Sequence, residues 1–164
     1  MLDNKFSPLN KTFLLKFAKD NCFCCGSGHC AIDSCSYEEI KGHEIVHNLS
    51  IPGSQEYCLW FAKNILHGKL TELAHIYYFD KCKHHVLEGG QHRICVYARL
   101  LKKGFNVTLP VEYEKVHADC RYCELIKNRL SKTPNLIILY FNNIKHDQIV
   151  KQIYAEFEIV KFEF

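Results

Sequence analysis

Ten cysteines and ten histidines are the chemically telling residues of this 164-residue chain. Five of the cysteines fall between Cys22 and Cys35, and Cys120-Arg-Tyr-Cys123 forms a separate pair, while Cys58, Cys82 and Cys95 stand alone. Cys22-Phe-Cys-Cys25-Gly26 has the C-x-x-C-G form of a zinc knuckle. Joined to Cys120 and Cys123 it supplies four thiolates, enough for a closed tetrahedral Zn²⁺ site with a structural role. Such a site ties the N-terminal segment to a connection far along the chain. Cys24, His29, Cys30, Cys35 and His117 are further donors and leave the ligand set open, to a second ion or to an iron–sulfur cluster. The Cys22, Cys25, Cys30, Cys35 spacing matches no common cluster pattern. The three isolated cysteines suit core packing as small apolar groups. His84 and His85 are candidates for ligands or substrate contacts, but both fall at a hairpin turn, where solvated histidine is ordinary, and His43 and His47 fall in a strand, which makes no helical ligand pair.

A second stretch points to anion chemistry. In Val86-Leu87-Glu88-Gly89-Gly90-Gln91-His92-Arg93-Ile94 a strand runs into two glycines and a helix begins at once. Paired glycines let a ligand approach the backbone closely, and the first N–H groups of a helix are unpaired donors at the positive end of its dipole. Arg93 adds a guanidinium fork matched to phosphate oxygens, and Gln91 and His92 add donors. The plain alternative is a strand-to-helix turn with Arg93 solvated. A carboxylate at Glu88 is either a metal ligand or base, or simply a stabilising charge ahead of a helix.

The elements around this corner are legible from periodicity. Residues 11 to 19 place Phe13, Leu14, Phe17 and Ala18 on one helical face. Glu44 to Leu49 is predicted as a strand, and Ser54 caps a helix over Gln55 to Leu66. His75 to Phe79 and His85 to Leu87 form a hairpin across Asp80-Lys81-Cys82-Lys83. Gln91 to Lys103 is helical, and Val107 to Val111 is a strand that Pro110 marks as an edge. A helix from Arg121 to Leu130, a strand from Leu136 to Phe141, a helix from Asp147 and a strand from Glu158 to Phe162 follow. Phe157, Phe162 and Phe164 belong to the sheet core, or to an edge that a partner strand of a homodimer would extend.

GGQHR, with a strand before it and an apolar helix after it, resembles the corresponding corner of the ParB/sulfiredoxin superfamily. The similarity runs from about Glu44 to Glu114. It implies an α/β (α+β) fold, a compact mixed sheet with flanking helices, to which the cysteine-rich zinc loop is an embellishment. It also implies that Gly89, Gly90, Gln91, His92 and Arg93 hold the phosphates of a nucleotide, with Mg²⁺ accompanying it. Position 91, where a sulfiredoxin has its catalytic cysteine, is Gln91, so sulfinic-acid reductase activity is not expected. The Glu-Asn-x-x-Arg motif of CTP-binding ParB proteins has no counterpart. DGQHR-type proteins of DNA-modification systems are also similar, with Gly89 in place of their Asp. For an enzyme, phosphoryl transfer or phosphodiester cleavage is the implied reaction class, with Glu88 as base or metal ligand and His92 as acid/base. The alternatives are a non-catalytic DNA-associated module of a mobile-element or DNA-modification system, and a zinc-stabilised interaction protein.

Composition sets the frame. With 48% hydrophobic and 24% charged residues the chain is predicted to form a single domain over 1–164. Within it, 1–43 carries the cysteine loop, 44–114 the ParB/sulfiredoxin-like core, and 115–164 a C-terminal extension. A charge of +3 permits nucleic acid without arguing for it. No apolar run reaches the ~18 residues of a membrane span, and no signal peptide opens the chain. A cytoplasmic, reducing location is therefore expected, which favours metal ligation over disulfides.

Overall fold

The computed structural model describes residues 6–17, 22–42, 51–131 and 140–164. Its frame is a five-stranded mixed sheet in the order β4-β2-β3-β1-β5. β1 (Thr12–Lys16) lies between β3 (His84–Leu87), to which it is parallel, and β5 (Ile159–Glu163), to which it is antiparallel. β2 (Ala74–Phe79) pairs antiparallel with β3 and parallel with β4 (Val111–Val116).

The segment expected to be an amphipathic helix over 11–19 is thus an interior strand of the sheet, as far as it is described. Phe13, Leu14 and Leu15 are all buried, and they alternate. Phe13 and Leu15 enter the larger core, whereas Leu14 enters the smaller one on the opposite face. A strand covered on both faces carries a continuous apolar run, which mimics a helical stripe over five residues. Each such side chain contributes about 1.5–3 kcal/mol by burial.

On one face pack α2 (Ala31–Ser34), α3 (Tyr37–Gly42), α4 (Gln55–Leu66) and α5 (Gln91–Lys102), which bury Ile32, Ile40, Ala62, Ile65, Ile94 and Ala98. The short α1 (Phe23–Ser27) precedes them, so the cysteine loop is built from helical turns rather than irregular chain. Ser54 caps α4 as expected, its hydroxyl oxygen accepting from the Tyr57 N–H at 3.1 Å. On the other face lie α6 (Arg121–Ser131) and α7 (Tyr140–Glu156), with Ile126, Ile149 and Ile153 buried between them.

Two further boundaries differ from expectation. β4 begins at Val111 rather than Val107, because the chain up to Pro110 approaches the sheet as a buried connection and pairing with Ala74 starts only there. Tyr140 and Phe141, expected to end a strand, open α7; residues 136–139 of that strand lie outside the described residues. The strand expected over 44–49, with His43 and His47, also lies outside them.

Candidate metal centre

The β2–β3 hairpin and the start of α6 meet at one end of the sheet. The turn Asp80–Lys83 is closed by Lys83 in the left-handed region (φ 57°). Parallel pairing of β4 with β2 delivers the chain beside this turn, and the contact continues past the strands. The Asp80 N–H donates to the Val116 carbonyl (3.1 Å) and the Lys81 N–H to the Ala118 carbonyl (3.3 Å). Cys120 then opens α6, its carbonyl accepting from the Glu124 N–H at 3.0 Å. Cys123, three residues on, falls on the same side of the first helical turn.

Four ligand groups converge here: the thiols of Cys82, Cys120 and Cys123 and the imidazole of His84, all within 4.8 Å of one another. His84 Nδ1 is 3.3 Å from Cys123 Sγ and 3.9 Å from Cys120 Sγ, and the Cys120 N–H donates to Cys82 Sγ at 3.4 Å. Zn–S bonds of about 2.3 Å and Zn–N bonds of about 2.0 Å in a tetrahedron separate ligand atoms by about 3.5–3.8 Å. The cluster is close to that size. Cys120 is buried and the other three are half-buried. Three thiols and one imidazole make a complete donor set for a closed structural zinc site.

Electrostatics favour thiolate at Cys120. Its pKa is pulled down, chiefly by the hydrogen bond from the Cys123 thiol and further by His84. Cys123 is pushed up for the same reason, as the donor of that bond, and burial adds to it. Burial also raises Cys82. The dipole of α6 helps the thiolate at its N-terminus.

This set differs from the one expected. Cys120 and Cys123 belong to the group, but Cys22 and Cys25 are not with them. Those two pack into the larger core on the other face of the sheet. Their places are taken by Cys82, read from sequence as an apolar residue, and His84, read as solvated. The local signal for the pair was C-x-H across a hairpin turn. Its significance depends on the parallel β2–β4 pairing, which spacing alone does not reveal. His85, the neighbour of His84, is a core residue: it stacks on Phe13 (4.9 Å) and Tyr78 (4.7 Å) and is 3.1 Å from the Thr12 carbonyl. Burial pushes its pKa down to about 4.

The glycine corner opens α5 as expected. Gly90 is the N-cap with φ 82°, and its carbonyl accepts from the Ile94 N–H at 3.0 Å. A Cβ at Gly90 would lie 3.1 Å from that of Ala74, so the corner is pressed against β2. Arg93 folds back over this glycine. Its Nη1 donates to the carbonyls of Glu72 (2.8 Å) and Leu73 (3.2 Å) and lies 3.3 Å from the Glu72 carboxylate. His92 packs among Phe17, Tyr57 and Phe61, at 4.9, 5.1 and 6.3 Å, and burial lowers its pKa. Glu88 is exposed and accepts from the Tyr77 hydroxyl at 3.5 Å.

A cleft of about 830 Å³ joins the corner to the metal centre. Lys16, Tyr77, Glu88, Gln91, Arg121 and Glu124 line it, and Cys120 forms part of its wall. A smaller cavity of about 470 Å³ lies against the metal centre and is lined by Cys82, His84, Cys123, Lys127 and Tyr154 among others. No family model, curated protein or solved structure matches the chain. None of the helices among the described residues is long and apolar enough to cross a membrane.

Proposed function

We propose that the protein is a metal-stabilised domain that binds a phosphate-bearing small molecule, a nucleotide with Mg²⁺, in the cleft between α5 and α6. The observation that carries this reading is the lining of that cleft. It brings Gln91 in the first turn of α5, Arg121 in the first turn of α6, and Lys16 at the end of β1 to one cavity. Its volume falls in the range of small-molecule sites, which favours a nucleotide over a DNA duplex. Glu88 and Glu124, on the same cleft, suit a hydrated divalent cation carried in with the phosphates. Bound Zn²⁺ at Cys82, His84, Cys120 and Cys123 would fix the α6 wall to the hairpin floor and supply no open coordination position for chemistry.

This reading develops the resemblance of GGQHR to the ParB/sulfiredoxin corner, and it redistributes the roles. Gln91 and Glu88 face the ligand. Arg93 braces the corner through the backbone of Glu72 and Leu73, and His92 belongs to an aromatic cluster. If phosphoryl transfer follows binding, Glu88 is the residue placed to hold the cation or take the proton.

Calorimetric titration of the zinc-loaded protein with ATP, CTP and GTP in Mg²⁺ tests the proposal. A saturable heat with one nucleotide is expected, weakened about a hundredfold or more in Lys16→Ala/Arg121→Ala, since each of the two lost charged contacts is worth about 1.5–3 kcal/mol. No heat with any nucleotide, or equal affinity in the double variant, would overturn it. Binding to short DNA with a steep salt dependence and no nucleotide heat would assign the cleft to a DNA-associated module instead.

A further inference from the structure

The cavity of about 470 Å³ against the metal centre is separate from the cleft: Asp119 is the single lining residue that the two share. α6 and α7 supply its apolar wall through Ile126, Leu130, Val150 and Tyr154. Ile126 is buried and the other three are half-buried. Water standing against such a wall is displaced favourably by an apolar group of a ligand, and the volume falls in the range of small-molecule sites. The Tyr154 hydroxyl, on the same wall, has no hydrogen-bond partner among the described residues. It is a donor free to meet an acceptor held in the cavity.

The charge around this cavity is one-sided. Lys81 from the hairpin turn, Lys127 from α6 and Lys161 from β5 line it against one carboxylate, that of Asp119. Lys127 already pairs with Asp119. Lys161 has an exposed partner in Glu163 at 3.0 Å, which is not part of the lining. Lys81 has no carboxylate partner among the described residues. Like charges gathered by three separate elements around one cavity raise its potential and draw in an anion. A hydrated inorganic anion would leave the apolar wall against water, and a neutral apolar molecule would leave the lysines and Tyr154 unmatched. A nucleotide with its cation suits the other cleft better, because here the one carboxylate is engaged by Lys127.

We propose that this cavity is a second ligand site, independent of the cleft, for a small organic acid: a carboxylate carried on an aryl or short alkyl body. Lys81 and Lys161 supply the charge that attracts the carboxylate, and the Tyr154 hydroxyl supplies a hydrogen bond to it. Leu130 and Val150 supply the surface against which the body is buried. Lys127 balances Asp119 and so keeps that carboxylate from repelling the ligand.

The test is a ligand-observed NMR titration of the zinc-loaded protein with phenylacetate and with hexanoate. Saturable binding of at least one of them is expected, about tenfold or more tighter than that of acetate, which lacks the body, and of the matching neutral amide, which lacks the charge. Lys81→Ala/Lys161→Ala should weaken it about tenfold, the size of two solvent-exposed charge pairs. Both lysines are exposed, so the double variant keeps the fold, and an unchanged melting temperature reports this. ATP with Mg²⁺ should not displace the acid. No saturable binding of either acid at millimolar concentration, equal affinity for acid and amide, or undiminished affinity in the double variant would each overturn the proposal. Displacement by ATP would do so too, since it would put the acid in the cleft.

Discussion

At the scale of single residues, chemistry and packing pull apart residue types that look alike in sequence. His84 and His85 are neighbours, yet one faces two thiols and the other is stacked in the core. His84→Ala or Cys123→Ser removes one of four ligands. We expect the zinc-loaded protein to lose at least about 3 kcal/mol, a fall in melting temperature of about 6–12 °C by calorimetry, and chelation to erase the difference between variant and wild type. His92 gives a pH prediction. Burial lowers its pKa in the folded state, so below the ordinary value of about 6.5 the unfolded chain binds more protons and stability falls with pH; above it the contribution is fully present. His85 acts in the same direction down to about 4. Denaturant midpoints between about pH 7.5 and about pH 5 should therefore fall less in His92→Gln than in the wild type. Half of the metal centre was legible, since Cys120-x-x-Cys123 needs only one helical turn to converge. Cys82 and His84 were not, because their relevance depends on which strand lies beside β2.

At the scale of elements, the glycine corner was read correctly as a strand-to-helix turn, and its two glycines turn out to be unequal. Gly90 is left-handed, and a Cβ there would press on the Ala74 Cβ at 3.1 Å, whereas a Cβ at Gly89 meets nothing within 4 Å. Gly90→Ala should cost about 1–3 kcal/mol in urea unfolding, and Gly89→Ala less than about 1 kcal/mol. Equal costs would contradict the geometry. The hairpin, α4, α5 and α6 follow from alternation, capping and the 3.6-residue period, although α5 buries Ile94 to Ala98 without a break. β1 does not follow, because burial on both faces abolishes the alternation that marks a strand.

At the scale of the whole molecule, a metal ion held by Cys82, His84, Cys120 and Cys123 would reinforce a junction that already has apolar contacts from Phe79 and Val86 of the hairpin. α6 rests on a small core around Leu14, Cys120, Tyr122 and Ile159, distinct from the large one under α4 and α5. Bound zinc would add a covalent-strength tie between that small core and the hairpin, and so hold the cleft to one width. The sheet order has a different consequence, one of timing. β1 takes its neighbours from much later in the chain: Phe13 pairs with His85 on one side and with Phe162 on the other. Contacts of such long separation fold slowly, as loop closure must precede the reward. On a ribosome, Phe13-Leu14-Leu15 emerges early with both backbone edges unpaired, acquires one partner when β3 appears, and waits for β5 to cover the second. From the emergence of β1 until β5 appears, the chain carries an apolar strand with an unpaired edge, and that is the interval in which it is most prone to pair wrongly or aggregate.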